Sequence, residues 1–434
     1  MSAAALSLWE EVRGSRLLRA GLWMSIAGVA GGALGYVFQV LMGRLLSPAD
    51  FALFSAVMAL GMFAASPLSA LTMLVARQVA SLLSLGHEGQ LRPLYLSVFL
   101  RMFVGAVTLL GCTTLAQDAL RSYLHAPDAV PIWILSMVLV ASAFLALNNA
   151  FLQGSQQMGW LGGLGVAGVL VKIFFSFVFV GLGYGASGAL LGVLCAIAAT
   201  WLAGLASLRP SLPKGHPSGA ETSGAFPVAA IVPVLIASVA FTAMTQLDMV
   251  LVHHYFDADQ AGQYAAASVL GKAVLYLPGG LVTALYPTVA GRHAARQSSA
   301  HLLAQSAFAA LLVCGAAALS YWLMGPWLVG LLYGGSYAPA GELLGLYGWA
   351  VLPMALVMVA EHFLIAQGRV LFAWLFLAVA PLQLLAIHLW HPDLRGVILV
   401  IGAGGAVMAL LGYGVLLREY LHSRPSIKES TAVR

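Results

Sequence analysis

The sequence predicts an all-α integral membrane protein, with twelve transmembrane helices in two six-helix lobes related by a parallel pseudo-repeat. Three observations predict it. Hydrophobic residues make up 61% of the 434 and charged residues only 8%, against about 25% charged in a soluble domain. Apolar stretches of about 20 residues, the length that crosses a hydrocarbon core, follow one another along nearly the whole chain. A polar stretch rich in Pro, Gly and Ser near mid-chain divides them six and six.

Taken in order, the first 19 residues carry Arg13, Arg16 and Arg19, which superficially suits the basic region of a signal peptide. The span that follows, 20–42, is too long for one and lacks a clear cleavage site, so it reads as a retained first helix. Spans 51–76, 94–116, 132–152, 161–182 and 185–207 complete an N-terminal lobe, 1–208. Residues 209–226 read as a cytoplasmic linker. The C-terminal lobe, 227–434, carries spans 228–252, 263–287, 302–324, 343–366, 370–389 and 396–417 and a short cytoplasmic tail. With the amino terminus in the cytoplasm, fourteen of the twenty Lys and Arg fall on inner segments, and only Arg44, Arg121 and Arg395 fall outside. That bias predicts cytoplasmic termini.

The two lobes echo each other in sequence. Leu45 to Phe54 resembles Tyr255 to Tyr264 at an offset of 210, Pro67 meets Pro278 at 211, and Asn149, Phe151 and Leu152 meet Glu361, Phe363 and Leu364 at 212. Six helices per copy start both copies on the same side, so the repeat axis runs along the membrane normal, a design that transporters use for alternating access. Pro67 and Pro278 predict bends at corresponding places.

Four charged side chains stand inside apolar runs: Lys172, Asp248, Lys272 and Glu361. Each costs roughly 2.5–3.5 kcal/mol at a helix centre, so it persists where it meets a partner or water. Gly165, Gly168 and Ser176 share the Lys172 face, leaving Phe174, Phe175, Phe177 and Val178 for lipid. Ser268 and Tyr276 lie one turn either side of Lys272, and Asp248 follows Thr245 and Gln246. Asp248 and Lys272 can touch, either as a self-neutralising pair or as a proton or cation site beside a lysine free to meet an anion. Glu361 lies near the cytoplasmic end of its span, where an interfacial carboxylate and a site residue are both open readings. Arg101 is two turns deep, within reach of the headgroups by snorkelling. In the first helix Gly28, Gly31, Gly35 and Gln39 form a small-residue face, read mainly as helix packing.

Other chemistry finds no support. The net charge of +5 is spread over inner loops, where lipid and orientation account for it, so no nucleic-acid partner is expected. Cys112, Cys195 and Cys314 are isolated and read as small hydrophobes. His253 and His254 have no companion cluster in sequence, so no metal site is expected. Gly163-Leu164-Gly165-Val166-Ala167-Gly168 spells a dinucleotide fingerprint inside a membrane helix, where the required strand is missing. No cofactor and no catalytic residue are expected, and the chain does not read as an enzyme.

The stretch Gly43-Arg44-Leu45-Leu46-Ser47-Pro48-Ala49-Asp50-Phe51 through Pro67 to Arg77 resembles the opening of bacterial polysaccharide exporters. Gln246 to Val252 with Gly262-Gln263-Tyr264 and Pro278, and Glu361 to Arg369, are similar to later parts of the same family. This is the O-antigen and exopolysaccharide flippase type of the multidrug/oligosaccharidyl-lipid/polysaccharide exporter superfamily. The resemblance implies a flippase in the bacterial inner (cytoplasmic) membrane that turns undecaprenyl-diphosphate-linked oligosaccharide to the outer leaflet for surface polysaccharide biosynthesis, with polysaccharide polymerase machinery as a further partner. A hydrated path removes the cost of passing sugar and diphosphate through hydrocarbon, and Lys172 and Lys272, with Arg101 and Asn149, are the candidate substrate contacts. The resemblance also carries an ion-coupling role, proton or sodium, to Asp248, with Glu361 as a second candidate; helices eleven and twelve offer Gln383 but no acid. A drug exporter of the same superfamily is the alternative, and a membrane glycan polymerase or ligase a third.

Overall fold

The computed structural model describes residues 16–208, 228–279, 289, 300–367 and 370–422. The protein is a multi-pass, all-α membrane protein, with twelve helical segments among the described residues, one of them broken in two. Eleven segments among the described residues are long and apolar enough to cross a bilayer. The chain separates into two compact units, Met1–Val228 and Ala229–Arg434.

The first unit holds α1 (Arg16–Leu45), α2 (Pro48–Ala65), α3 (Pro67–Ser84), α4 (Leu91–Tyr123), α5 (Val130–Gly154), α6 (Met158–Gly181) and α7 (Gly185–Leu208). The second holds α8 (Val228–Tyr255), α9 (Ala258–Tyr276), α10 (Ala300–Leu332), α11 (Ala340–Ala366), α12 (Leu371–Leu389) and α13 (Leu394–His422). Helices α4 and α10 run to 33 residues each, about 50 Å at 1.5 Å per residue, well beyond the predicted 94–116 and 302–324. Their outer turns extend past the hydrocarbon core. The segment short of a full span is α9: the predicted 263–287 ends, among the described residues, at Pro278 and Gly279, and its helix carries Asp259, Gln260, Gln263 and Lys272.

The start of α2 and the start of α9 are built alike. Ser47 sits extended at φ −62° and ψ 156° and its side chain accepts from the Asp50 N–H. Asp257, at φ −63° and ψ 162°, accepts from the Gln260 N–H. Such caps satisfy one of the four N–H groups that a helix start leaves open.

The proline breaks are resolved differently. Pro67 lacks the N–H that would bond the Phe63 carbonyl, and Ser66 takes that carbonyl with both its N–H (3.2 Å) and its hydroxyl (2.8 Å). Helix α9 stops at Tyr276, two residues before Pro278. The carbonyl that Pro278 leaves open belongs to Val274, and it receives the Cys314 thiol of α10 at 3.3 Å. Cys314 is therefore a buried donor as well as a small hydrophobe.

In the first unit α5 packs against α2, α3, α4 and α7, while α6 packs against α1 and α7. An apolar core of Val75, Val79, Leu94, Leu147 and Phe151 fills the centre. Ser176 donates to the Ala189 carbonyl at 3.0 Å, a close approach that Gly192 permits, since any Cβ there would sit 2.1 Å from the Ser176 hydroxyl. In the second unit α11 is the hub, packed against α9, α10, α12 and α13.

Candidate functional site

Asp248 is fully buried and is the centre of a three-helix polar cluster. Its Oδ1 accepts from Lys272 Nζ at 3.1 Å. Its Oδ2 accepts from the hydroxyls of Tyr264, at 2.7 Å, and Tyr347, at 2.8 Å. Ser268 donates to Tyr347 at 3.1 Å. Tyr264, Ser268 and Lys272 follow at four-residue steps along one face of α9, so a single stripe brings them to α8. Tyr347 comes from α11 and reaches the carboxylate because Gly271 of α9 has no side chain to block its ring.

Burying two ions costs several kcal/mol each, and bonds to a charged group return about 1.5–3 kcal/mol apiece. Three donors on one carboxylate roughly offset the cost. A small cavity with room for about one water adjoins the cluster, walled by Thr245, Lys272, Tyr347, Met354, Gln383 and Gly405. Gln383 of α12 is buried and donates to the Met244 carbonyl at 2.9 Å, tying α12 to α8.

Lys172 has a different setting. It is half-buried, its ammonium stands 4.2 Å above the Phe38 ring of α1, and no carboxylate or hydrogen-bond acceptor pairs with it among the described residues. A cation over an aromatic face is attracted by the ring quadrupole, yet keeps its donors available. Ser176 is buried on the same side, and Phe174, Phe177 and Val178 are exposed on the other as the sequence predicts, whereas Phe175 is half-buried and stacks on Phe179.

The remaining candidates scatter. Glu361 is buried, because α11 is enclosed by four helices. No hydrogen bond or ion pair reaches it among the described residues. Arg101 is exposed on α4 beside exposed Leu100 and Val104. Asn149 is half-buried, whereas the neighbouring Asn148 is fully buried, accepting from Tyr95 at 2.8 Å and donating to the Trp201 carbonyl at 2.8 Å. Asn148 thus ties α4, α5 and α7 together.

Among the described residues, ideal Cβ atoms at Gly28, Gly31 and Gly35 would meet nothing within 4 Å, so no close neighbour in the first unit calls for glycine at these three positions of α1. Tyr255, next to His254 in sequence, bonds His388 and stacks on His391 with ring centroids 4.0 Å apart. Still, no group of three or more potential ligands is positioned to hold a metal ion among the described residues.

Residues 17–292, well over half of the chain, match the family described as "Polysaccharide biosynthesis protein". The chain belongs to that family. No curated protein matches it significantly in sequence. Solved structures share its fold at low identity. An inward-facing multidrug resistance MATE family transporter of the MOP superfamily matches with a TM-score of 0.73 at 15% identity, covering 91% of this chain and 96% of that one. The lipid II flippase MurJ in its inward closed conformation matches with 0.72 at 13%, covering 91% and 87%. A MOP superfamily transporter from Pyrococcus furiosus matches with 0.63 at 16%, covering 91% and 94%. This member of the polysaccharide biosynthesis family therefore has a transporter fold.

Proposed function

We propose that the chain is a flippase that translocates polyprenyl-diphosphate-linked oligosaccharide across the bacterial inner membrane by alternating access, both termini lying in the cytoplasm. The family description supports the polysaccharide part of this reading, and the fold shared with a lipid II flippase supports the lipid-linked part. A parallel repeat of two six-helix lobes is supported by the matching caps at Ser47 and Asp257, 210 residues apart, and by the prolines 67 and 278, 211 apart.

The observation that carries the substrate assignment is the contrast between the two mid-span lysines. Lys272 is neutralised by Asp248, whereas Lys172 faces a ring and, among the described residues, no anion. A diphosphate would give Lys172 the charge-assisted partner it lacks, and Lys suits this as a mobile point charge. Arg101 and Asn149 are proposed as further contacts, and Glu361 as the carboxylate available for ion coupling.

The test is a deletion strain carrying Lys172→Ala at normal abundance. Loss of one charge-assisted contact predicts a fall in surface glycan of about tenfold or more, with lipid-linked repeat units accumulating on the cytoplasmic side. Full surface glycan from this variant sinks the Lys172 assignment. A multidrug exporter is the second reading, favoured by the multidrug transporter fold; dye extrusion by intact cells that survives loss of glycan export would replace the first reading with it.

A further inference from the structure

The resemblance stated above places a cation site on the seventh-span acid, and the structure shows that acid already holding a cation of the protein's own. We infer that Lys272 is a tethered substitute for a bound ion: its ammonium takes the position beside Asp248 that sodium would occupy and closes this carboxylate to cation exchange. This deepens the transport reading by removing Asp248 from ion coupling, and it rests on that reading only for its consequence.

Three features carry it. Lys272 Nζ lies 3.1 Å from Oδ1, and two phenolic hydroxyls donate into Oδ2 at 2.7 and 2.8 Å, so both carboxylate oxygens already face hydrogens. A hard cation needs oxygen lone pairs turned towards it, and Tyr264 and Tyr347 turn protons instead. Second, Asp248 is fully buried and the Lys272 side chain is only 11% exposed. In such a medium the single negative charge is neutralised by the ammonium, and a second cation alongside would be repelled by it.

Third, the closure is chemical and not steric. Lys272 forms part of the wall of the adjoining cavity, together with Thr245 and Gln383. Without the ammonium, that cavity, walled by Thr245, Gln383 and Tyr347, would adjoin an unneutralised Asp248, and carboxylate and hydroxyl oxygens with room for about one water are donors suited to a hard cation. A lysine in this place is bound permanently, releases nothing to either side of the membrane, and makes the cluster indifferent to sodium gradients.

The experiment is equilibrium binding of radiosodium to the purified full-length chain, paired with thermal unfolding in sodium chloride and in choline chloride at equal ionic strength. The wild type is expected to bind no sodium and to unfold at the same temperature in both salts. K272M, which keeps the unbranched stem but ends one atom short of the ammonium position and carries no charge, is expected to bind sodium saturably and to unfold at a higher temperature in sodium than in choline. The double variant D248N/K272M is expected to lose that sodium response. Sodium binding by the wild type that D248N abolishes overturns the inference whether or not K272M folds, and so does a folded K272M that binds none. Neither outcome depends on which substrate is carried, so failure here is distinguishable from failure of the flippase reading.

Discussion

Gly271→Ala tests how tightly the Asp248 cluster is specified. An ideal Cβ at position 271 would lie 2.4 Å from Tyr347 Cδ1, 3.0 Å from its Cγ and 3.1 Å from its Cβ. The added methyl strikes the root of the side chain, so rotating the ring cannot relieve it, and the ring must retreat by about 1 Å to regain ordinary carbon contact. The Tyr347 hydroxyl now stands 2.8 Å from Asp248 Oδ2, and a retreat of that size takes it beyond hydrogen-bond range. Overpacking costs about 1–3 kcal/mol, and a lost bond to a buried charge about 1.5–3 kcal/mol. The expected destabilisation is roughly 3–5 kcal/mol, read as a lowered thermal unfolding midpoint of the purified protein. Because the penalty acts through Tyr347, combining the change with Tyr347→Ala should add little beyond Tyr347→Ala alone. A Gly271→Ala protein that unfolds at the wild-type temperature, or a double variant whose losses add in full, refutes the reasoning.

Asn148 and Asn149 should separate in the same assay. Asn148→Ala leaves the Tyr95 hydroxyl and the Trp201 carbonyl without their partner and is expected to cost about 2–4 kcal/mol, whereas Asn149→Ala is expected to stay within about 0.5 kcal/mol of wild type. Cys314→Val removes the donor to the Val274 carbonyl and should cost about 1 kcal/mol that Cys314→Ser retains; equal midpoints for the two variants would show that this bond contributes nothing.

The spans were legible because a stretch of about 20 apolar residues has few uses other than crossing a bilayer. The meeting of Asp248 and Lys272 was legible too, since both lie near the outer ends of consecutive spans. Tyr347 was not, because it arrives from α11, 99 residues after Asp248, and no local pattern announces that α8, α9 and α11 converge. Tyr264 left a weak signal: extending the Ser268–Lys272 stripe back one turn lands on it. The burial of Glu361 was not legible, because it is decided by the four helices around α11, which its place near a span end does not announce. The glycines of α1 show the same limit from the other side, because a small-residue stripe looks identical in sequence whether a neighbour fills it or nothing does.

The two proline breaks make joints of unequal compliance. At Pro67 the freed carbonyl is held by Ser66 of the same segment, so flexing there strains backbone torsions and leaves neighbouring helices uninvolved. At Pro278 the freed carbonyl is held by Cys314 of α10, so flexing there must carry α10 along or give up a buried bond. Under the same load the first joint yields by itself and the second recruits its neighbour.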